Sequence, residues 1–224
     1  MKIVPSSFFA RGTVKVAPEV LGKYLVRVRN GRRMVARIIE VEAYRGRDDP
    51  ASHAFRGPTP RNAPMFGDPG HAYVYFTYGN HYLLNITTQK AGTPGAILIR
   101  GVQPFEGIDI MRRLRPNVPD SQLTNGPGKL TKALAVDKAL NGLDMTRRGA
   151  LFIVDRAEDE EDLEIWRSTR VGIGEAGLKY LWRFYIKNNP YVTKHKPVRD
   201  KRFRDGASRN ITDRRAHDER NLNA

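Results

Sequence analysis

A chain of 224 residues with 40% hydrophobic and 28% charged content is long enough for one domain with a sizeable core. Its 39 lysines and arginines against 24 acids leave a net charge of +15, which points to an anionic partner, nucleic acid first, ahead of a merely basic surface. The absence of cysteine excludes disulfides, thiolate metal sites and cysteine nucleophiles.

The opening Met1-Lys2-Ile3-Val4-Pro5 lacks the apolar stretch of a signal peptide, and no run approaches a membrane span, so a soluble, intracellular, cytoplasmic protein is expected. Pro18-Glu19-Val20-Leu21-Gly22 reads as a short helix ended by its glycine. Lys23 to Val28 alternates as a strand, and Asn30-Gly31 supplies a hairpin turn into a second strand that runs on to Tyr44. Side-chain alternation puts Ile38, Glu40, Glu42 and Tyr44 on one face of that strand and Ile39, Val41 and Ala43 on the other.

His53 and the polar loop Gly57 to Asn62 follow, then a tyrosine-rich strand from His71 to Tyr78. A Gly79-Asn80-His81 turn leads into a strand from Tyr82 to Thr88, and Ala96 to Val102 forms another that delivers Arg100 at its end. Successive strands joined largely by hairpins argue a mostly antiparallel sheet. Gly107 to Leu114 has helical periodicity and stops at Arg115-Pro116. Asn125-Gly126-Pro127-Gly128-Lys129 enters a helix over Thr131 to Ala139, with Lys129 and Lys132 as added charge; it reads as a turn and cap before a phosphate seat.

Leu151 to Val154 is a strand, and the acidic run Glu158 to Glu164 a solvated loop. Arg170 to Gly177 resembles the glycine hairpin of helix-hairpin-helix motifs without their flanking helical pattern. Trp182 to Ile186 reads as a last core strand, and beyond Lys194 the chain becomes a polar, basic tail suited to salt-dependent affinity for nucleic acid.

Glu42 is the residue of chemical interest. A carboxylate among valine, isoleucine and alanine is expensive to bury without compensation, and a structural ion pair or an exposed strand position would explain it equally. Tyr44 on the same face, with Tyr73, Tyr75, Tyr78, Tyr82 and His53 nearby, makes it instead a candidate general base beneath aromatic walls that stack a planar substrate. The chain contains no Walker loop, zinc-protease helix motif, nucleophile elbow or dinucleotide fingerprint, and its five histidines lack metal-ligand spacing, so neither metal nor cofactor is expected.

Ile39-Glu40-Val41-Glu42-Ala43-Tyr44, His53, Thr59-Pro60-Arg61-Asn62, Met65-Phe66, Tyr73-Val74-Tyr75, Tyr78-Gly79, Asn85-Ile86, Arg100, Leu123 to Leu130 and Arg170 to Gly174 occur in one order. Together, over roughly residues 5–195, they resemble the alkyladenine (3-methyladenine) DNA glycosylase family of the mammalian and archaeal/bacterial type. The resemblance implies an α+β single domain: a curved, mostly antiparallel sheet flanked by helices, like the C-terminal domain of formyltransferases. It implies a domain over 1–195 and a monofunctional hydrolase that flips a damaged purine out of double-stranded DNA, acting as a monomer on the nucleoid; the polar basic tail over 196–224 lies outside the matching pattern. Glu42 would activate water, and Arg100 would hold that water or the nearby backbone. Tyr44, His53, Tyr75 and Asn85 would form the base pocket, Tyr78 would fill the gap in the duplex, and Arg61, Lys129 and Lys132 would meet the DNA backbone. Asn80 departs from the pattern, because an apolar neighbour to the wedge is usual in mammalian relatives. A non-catalytic nucleic-acid-binding protein on the same scaffold, or a basic partner of protein or ribosome, would need no Glu42.

Overall fold

A 13-residue strand, β2 (Arg32–Tyr44), runs through the middle of the molecule, and the other elements are arranged along its two edges. The computed structural model describes residues 2–77, 79–156, 162–195, 197 and 199–203. β2 pairs over its first half with β1 (Tyr24–Arg29) through the Asn30-Gly31 turn, whose φ angles of 50° and 70° are those of the tight hairpin turn that asparagine and glycine favour. Over its second half the same edge pairs with β8 (Arg183–Ile186). The opposite edge carries β5 (Ala96–Glu106) along almost its whole length.

From β5 the sheet continues through β4 (His81–Thr87) to β3 (Ala72–Thr77). From β8 it continues through β7 (Ile165–Ser168) to β9 (Asp200–Arg202). β6 (Leu151–Val154) adds to β1. Every pairing is antiparallel, and the described residues form one α+β domain with nine strands and four helices, as the sequence suggests. None of those helices is long and apolar enough to cross a membrane.

The helices are α1 (Ser6–Phe9), α2 (Thr13–Val20), α3 (Ile108–Leu114) and α4 (Pro127–Ala133). Thr13, Val16, Ala17 and Val20 recur at helical spacing and are buried, with Val16, Ala17 and Val20 in the core that also holds Ile38, Ile39, Val41 and Ala43 of β2. Burying each such aliphatic side chain contributes about 1.5–3 kcal/mol.

Several boundaries differ from the sequence reading. α2 begins at Thr13, five residues before the expected start, and absorbs Pro18 in its last turns; Gly22, at φ +86°, lies just beyond its end. α4 begins at Pro127, not Thr131, because proline is pre-set for a first helical position, and Ala135 at φ +48° prevents extension to Ala139. β5 continues to Glu106, so Arg100 lies within it and not at its end. β7 and β9 were not foreseen. β9 falls in the segment read as a tail, and residues 204–224, like most of the acidic run and Tyr78, lie outside the described residues.

Gly107 caps α3 at φ +72°, and a Cβ there would sit 2.5 Å from the Arg33 carbonyl oxygen. Gly107→Ala is therefore expected to destabilise the fold by about 1–3 kcal/mol, read as a lower midpoint in urea unfolding.

Candidate active site

Cross-strand register assembles the site in a single row. Tyr73 on β3 opposes Asn85 on β4, Asn85 opposes Leu98 on β5, Leu98 opposes Glu42 on β2, and Glu42 opposes Arg183 on β8. Directly opposed residues share a face, so residues from five strands point the same way. Tyr44 opposes Ala96 in a parallel row. The β2–β5 ladder has compensating irregularities on either side of Glu40, which leave Arg100 with no directly opposed residue.

Glu42 is completely buried. Its Oε1 accepts the backbone N–H of Val171 at 2.7 Å, and its Oε2 accepts the Tyr44 hydroxyl at 2.8 Å and an Arg100 N–H at 3.4 Å. A carboxylate offers about four acceptor positions, so one is left for a further donor. Glu40, also completely buried, takes Arg100 Nε at 3.1 Å and Arg183 Nε at 2.7 Å on Oε1, and the Thr193 N–H at 2.6 Å on Oε2. Asp49 grips Arg170 through both oxygens at 2.7 Å, and both side chains are sealed from solvent. Arg170 also donates to the Ala43 carbonyl and covers the Tyr44 ring at 4.6 Å. Three buried carboxylates thus meet three buried guanidinium groups.

Burial alone would lower the Arg100 pKa, but the charges of Glu42 and Glu40 outweigh it and hold it above the ordinary value. Burial and then the Glu42 charge push the Tyr44 hydroxyl well above its usual range, so it stays a donor.

Above these groups lies a cavity of about 460 Å³, walled by Tyr44, His53, Tyr73, Tyr75, Asn85 and Arg100, with Val171 and Lys129 among the other residues around it. Its size suits a small planar ligand. All three groups that bond Glu42 line it, so the carboxylate sits directly beneath its floor. His53 stands at the mouth, its ring edge-on to Tyr75 at 4.7 Å and its Nδ1 sharing a hydrogen with the Tyr73 hydroxyl at 2.9 Å. Burial pushes the Tyr73 hydroxyl up to about 12. Asn85 donates to the Tyr73 carbonyl.

The structure therefore brings together Glu42, Arg100, Tyr44, His53, Tyr75 and Asn85. Arg61 joins them at the rim, its guanidinium 5.2 Å from the Tyr75 ring centre. Lys129 lines the main cavity and a second of about 490 Å³ with Lys194, Asn125 and Thr193, whereas Lys132 is exposed and lines neither. The Arg170 to Gly177 stretch has no α-helices flanking it and instead supplies the amide that holds Glu42. Sequence reasoning missed Asp49, Arg170 and Arg183 as partners. The arginine within the apolar run Trp182 to Ile186 was the one local signal, because a charge there needs a buried acid.

The sequence model of the methylpurine-DNA glycosylase (MPG) family matches residues 7–190. The chain belongs to this family. It is 47% identical over 192 residues to a protein of Carboxydothermus hydrogenoformans, covering 86% of this chain and 99% of that one. It is 44% identical over 200 residues to one of Methanocella arvoryzae (88% and 98% covered) and 43% over 195 to one of Chlorobium phaeobacteroides (87% and 98%). All three relatives carry the name "Putative 3-methyladenine DNA glycosylase". Membership in the methylpurine-DNA glycosylase family makes this chain a DNA glycosylase, a hydrolase of the N-glycosidic bond.

Partial burial against Tyr73 and Tyr75, and then the Arg61 charge, lower the His53 pKa from the usual 6.5. An NMR titration of the free protein is expected to place its midpoint below that value. Because the depressed group is in the folded state, its contribution to stability is complete above about pH 6.5 and is lost as pH falls through the lower midpoint.

Proposed function

We propose that this glycosylase hydrolyses the bond between deoxyribose and an alkylated or deaminated purine flipped out of duplex DNA. The observation that carries the reading is Glu42: a buried carboxylate fixed by an amide, a hydroxyl and a guanidinium, with one acceptor position left, under an aromatic cavity. A base stacked in a duplex is out of reach of such a carboxylate, so it must be extruded, at a cost of a few kcal/mol that a damaged pair lowers.

In this reading the flipped purine enters between Tyr44, Tyr75 and His53, whose electron-rich faces favour a cationic alkylpurine. A water at the free position of Glu42 attacks the anomeric carbon. Its proton passes to Glu42, the glycosidic bond breaks, and the bonding pair leaves with the base, neutralising a cationic lesion. Negative charge on Glu42 stabilises the oxocarbenium-like transition state. Arg100 holds the water or the adjacent backbone, and Asn85 opposes the exocyclic amine of a normal guanine. Tyr78 fills the vacated gap as a wedge, while Arg61, Lys129 and Lys132 meet phosphates. Residues 1–195, with β9 completing the sheet, constitute the glycosylase domain, acting as a monomer in the cytoplasm on nucleoid DNA. The charged segment 196–224 adds salt-dependent affinity through counterion release.

Single-turnover release of base, from methylated DNA and from duplexes with one hypoxanthine or one ethenoadenine, tests this reading. Glu42→Gln is expected to slow release on the order of 100-fold or more with binding retained. Tight binding by wild type without release from any substrate would instead make the protein a binder.

Among the described residues, Lys129 is the one lysine around the main cavity, and its Nζ donates to Asn125 Oδ1. We assign it to phosphate contact, not to attack on the sugar. Borohydride added during turnover should then trap no covalent protein–DNA adduct, and the abasic product should remain uncut on a denaturing gel.

A further inference from the structure

Arg100 is shared unequally between two buried acids. It lies 3.1 Å from Glu40 and 3.4 Å from Glu42, at a point where the β2–β5 ladder gives it no opposed residue. Alone with Glu42, a planar guanidinium would favour the bidentate fork, with two parallel N–H donors on both carboxylate oxygens. That arrangement would occupy the acceptor position required for water and draw the cation away from the cavity it lines. Glu40 competes with it by holding the Nε end of the guanidinium.

Glu40 can do so because it is itself immobile. Arg183 Nε holds the same oxygen that Arg100 uses, and the Thr193 amide holds the other. Arg183 is anchored in turn: it donates to Ser168 Oγ at 3.1 Å and to the Thr193 carbonyl at 3.3 Å, and it lies over the Tyr185 ring at 4.6 Å. Its side chain is 2% exposed and that of Glu40 is 0% exposed, so solvent does not screen the pair.

We propose that Glu40, braced by Arg183, is a positioning residue for the glycosylase reaction: it holds Arg100 off the fork with Glu42 and so keeps one acceptor position of the general base free for a water. The inference rests on the assignment of Glu42 as that base. The competing account is that Glu40 only compensates the buried charge of Arg183.

A double-mutant cycle separates the two. Single-turnover base release from methylated duplex would be measured for wild type, Glu40→Gln, Arg100→Gln and the double variant, with affinity for a duplex holding a stable abasic analogue measured separately. If Glu40 acts through Arg100, Glu40→Gln slows release about tenfold in the wild-type background but less than about twofold once Arg100 is replaced, and Glu40→Gln leaves affinity unchanged within each background. Losses that multiply independently, or a native rate in Glu40→Gln, overturn the proposal. Where Glu40→Gln does not fold or Arg100→Gln is too slow to read, Arg183→Lys decides: it keeps the charge but loses the Nε contact. A severalfold slower release at unchanged affinity is expected of it, and a native rate overturns the proposal. Failure of the underlying assignment looks different, with no release by wild type or full release by Glu42→Gln.

Discussion

Charge buried in the central strand is the constraint on which the rest of this molecule depends. β2 takes two carboxylates completely out of water, and each would cost several kcal/mol if left uncompensated. The fold answers with donors brought from other elements: Arg100 from β5, Arg183 from β8, and backbone amides of Val171 and Thr193 from the loops flanking β8. The Asp49–Arg170 pair repeats the solution next door and fixes the loop that presents Val171. Replacing such a network with apolar side chains of equal volume would often be no less stable, so stability alone does not account for it.

The cavity divides mechanically into a floor and a rim. Its floor consists of side chains in register on strands β3, β4, β5 and β2, whose backbones are tied on both edges except at β3. The rim consists of His53, Arg61 and His81, all exposed, together with the glycine-bounded start of α4. On the reading proposed above, this division has a use: the reacting atom would meet a fixed carboxylate, whereas the entry would adjust to backbone and base during extrusion.

Local signals carried much of this architecture. Asn30-Gly31 marks its hairpin because both residues adopt positive φ, and period-two alternation in β2 groups Glu40, Glu42 and Tyr44, of which the two acids bind Arg100 and the tyrosine binds Glu42. α2 and α4 were misplaced because Pro18 was read as a helix start when it sits inside one, and Pro127 as part of a loop when it opens one. What the sequence could not display was partnership across distance. Glu42 and Val171 are 129 positions apart, and Glu40 and Thr193 are 153 apart, with no periodicity linking them. β7 escaped notice for a related reason: its Ile165-Trp166-Arg167-Ser168 is too short and too polar to announce a strand without the β8 edge beside it.

Those separations also dictate an order of assembly. The acids of β2 are among the first quarter of residues to be made, and their amide clamps are among the last quarter. A growing chain therefore holds both carboxylates without their full set of partners until the segment from Val171 to Thr193 has emerged. Pairings of such long range close slowly, because loop entropy is lost before contact energy is gained. The setting that holds both carboxylates is thus among the last features of this polypeptide to be completed as it is made.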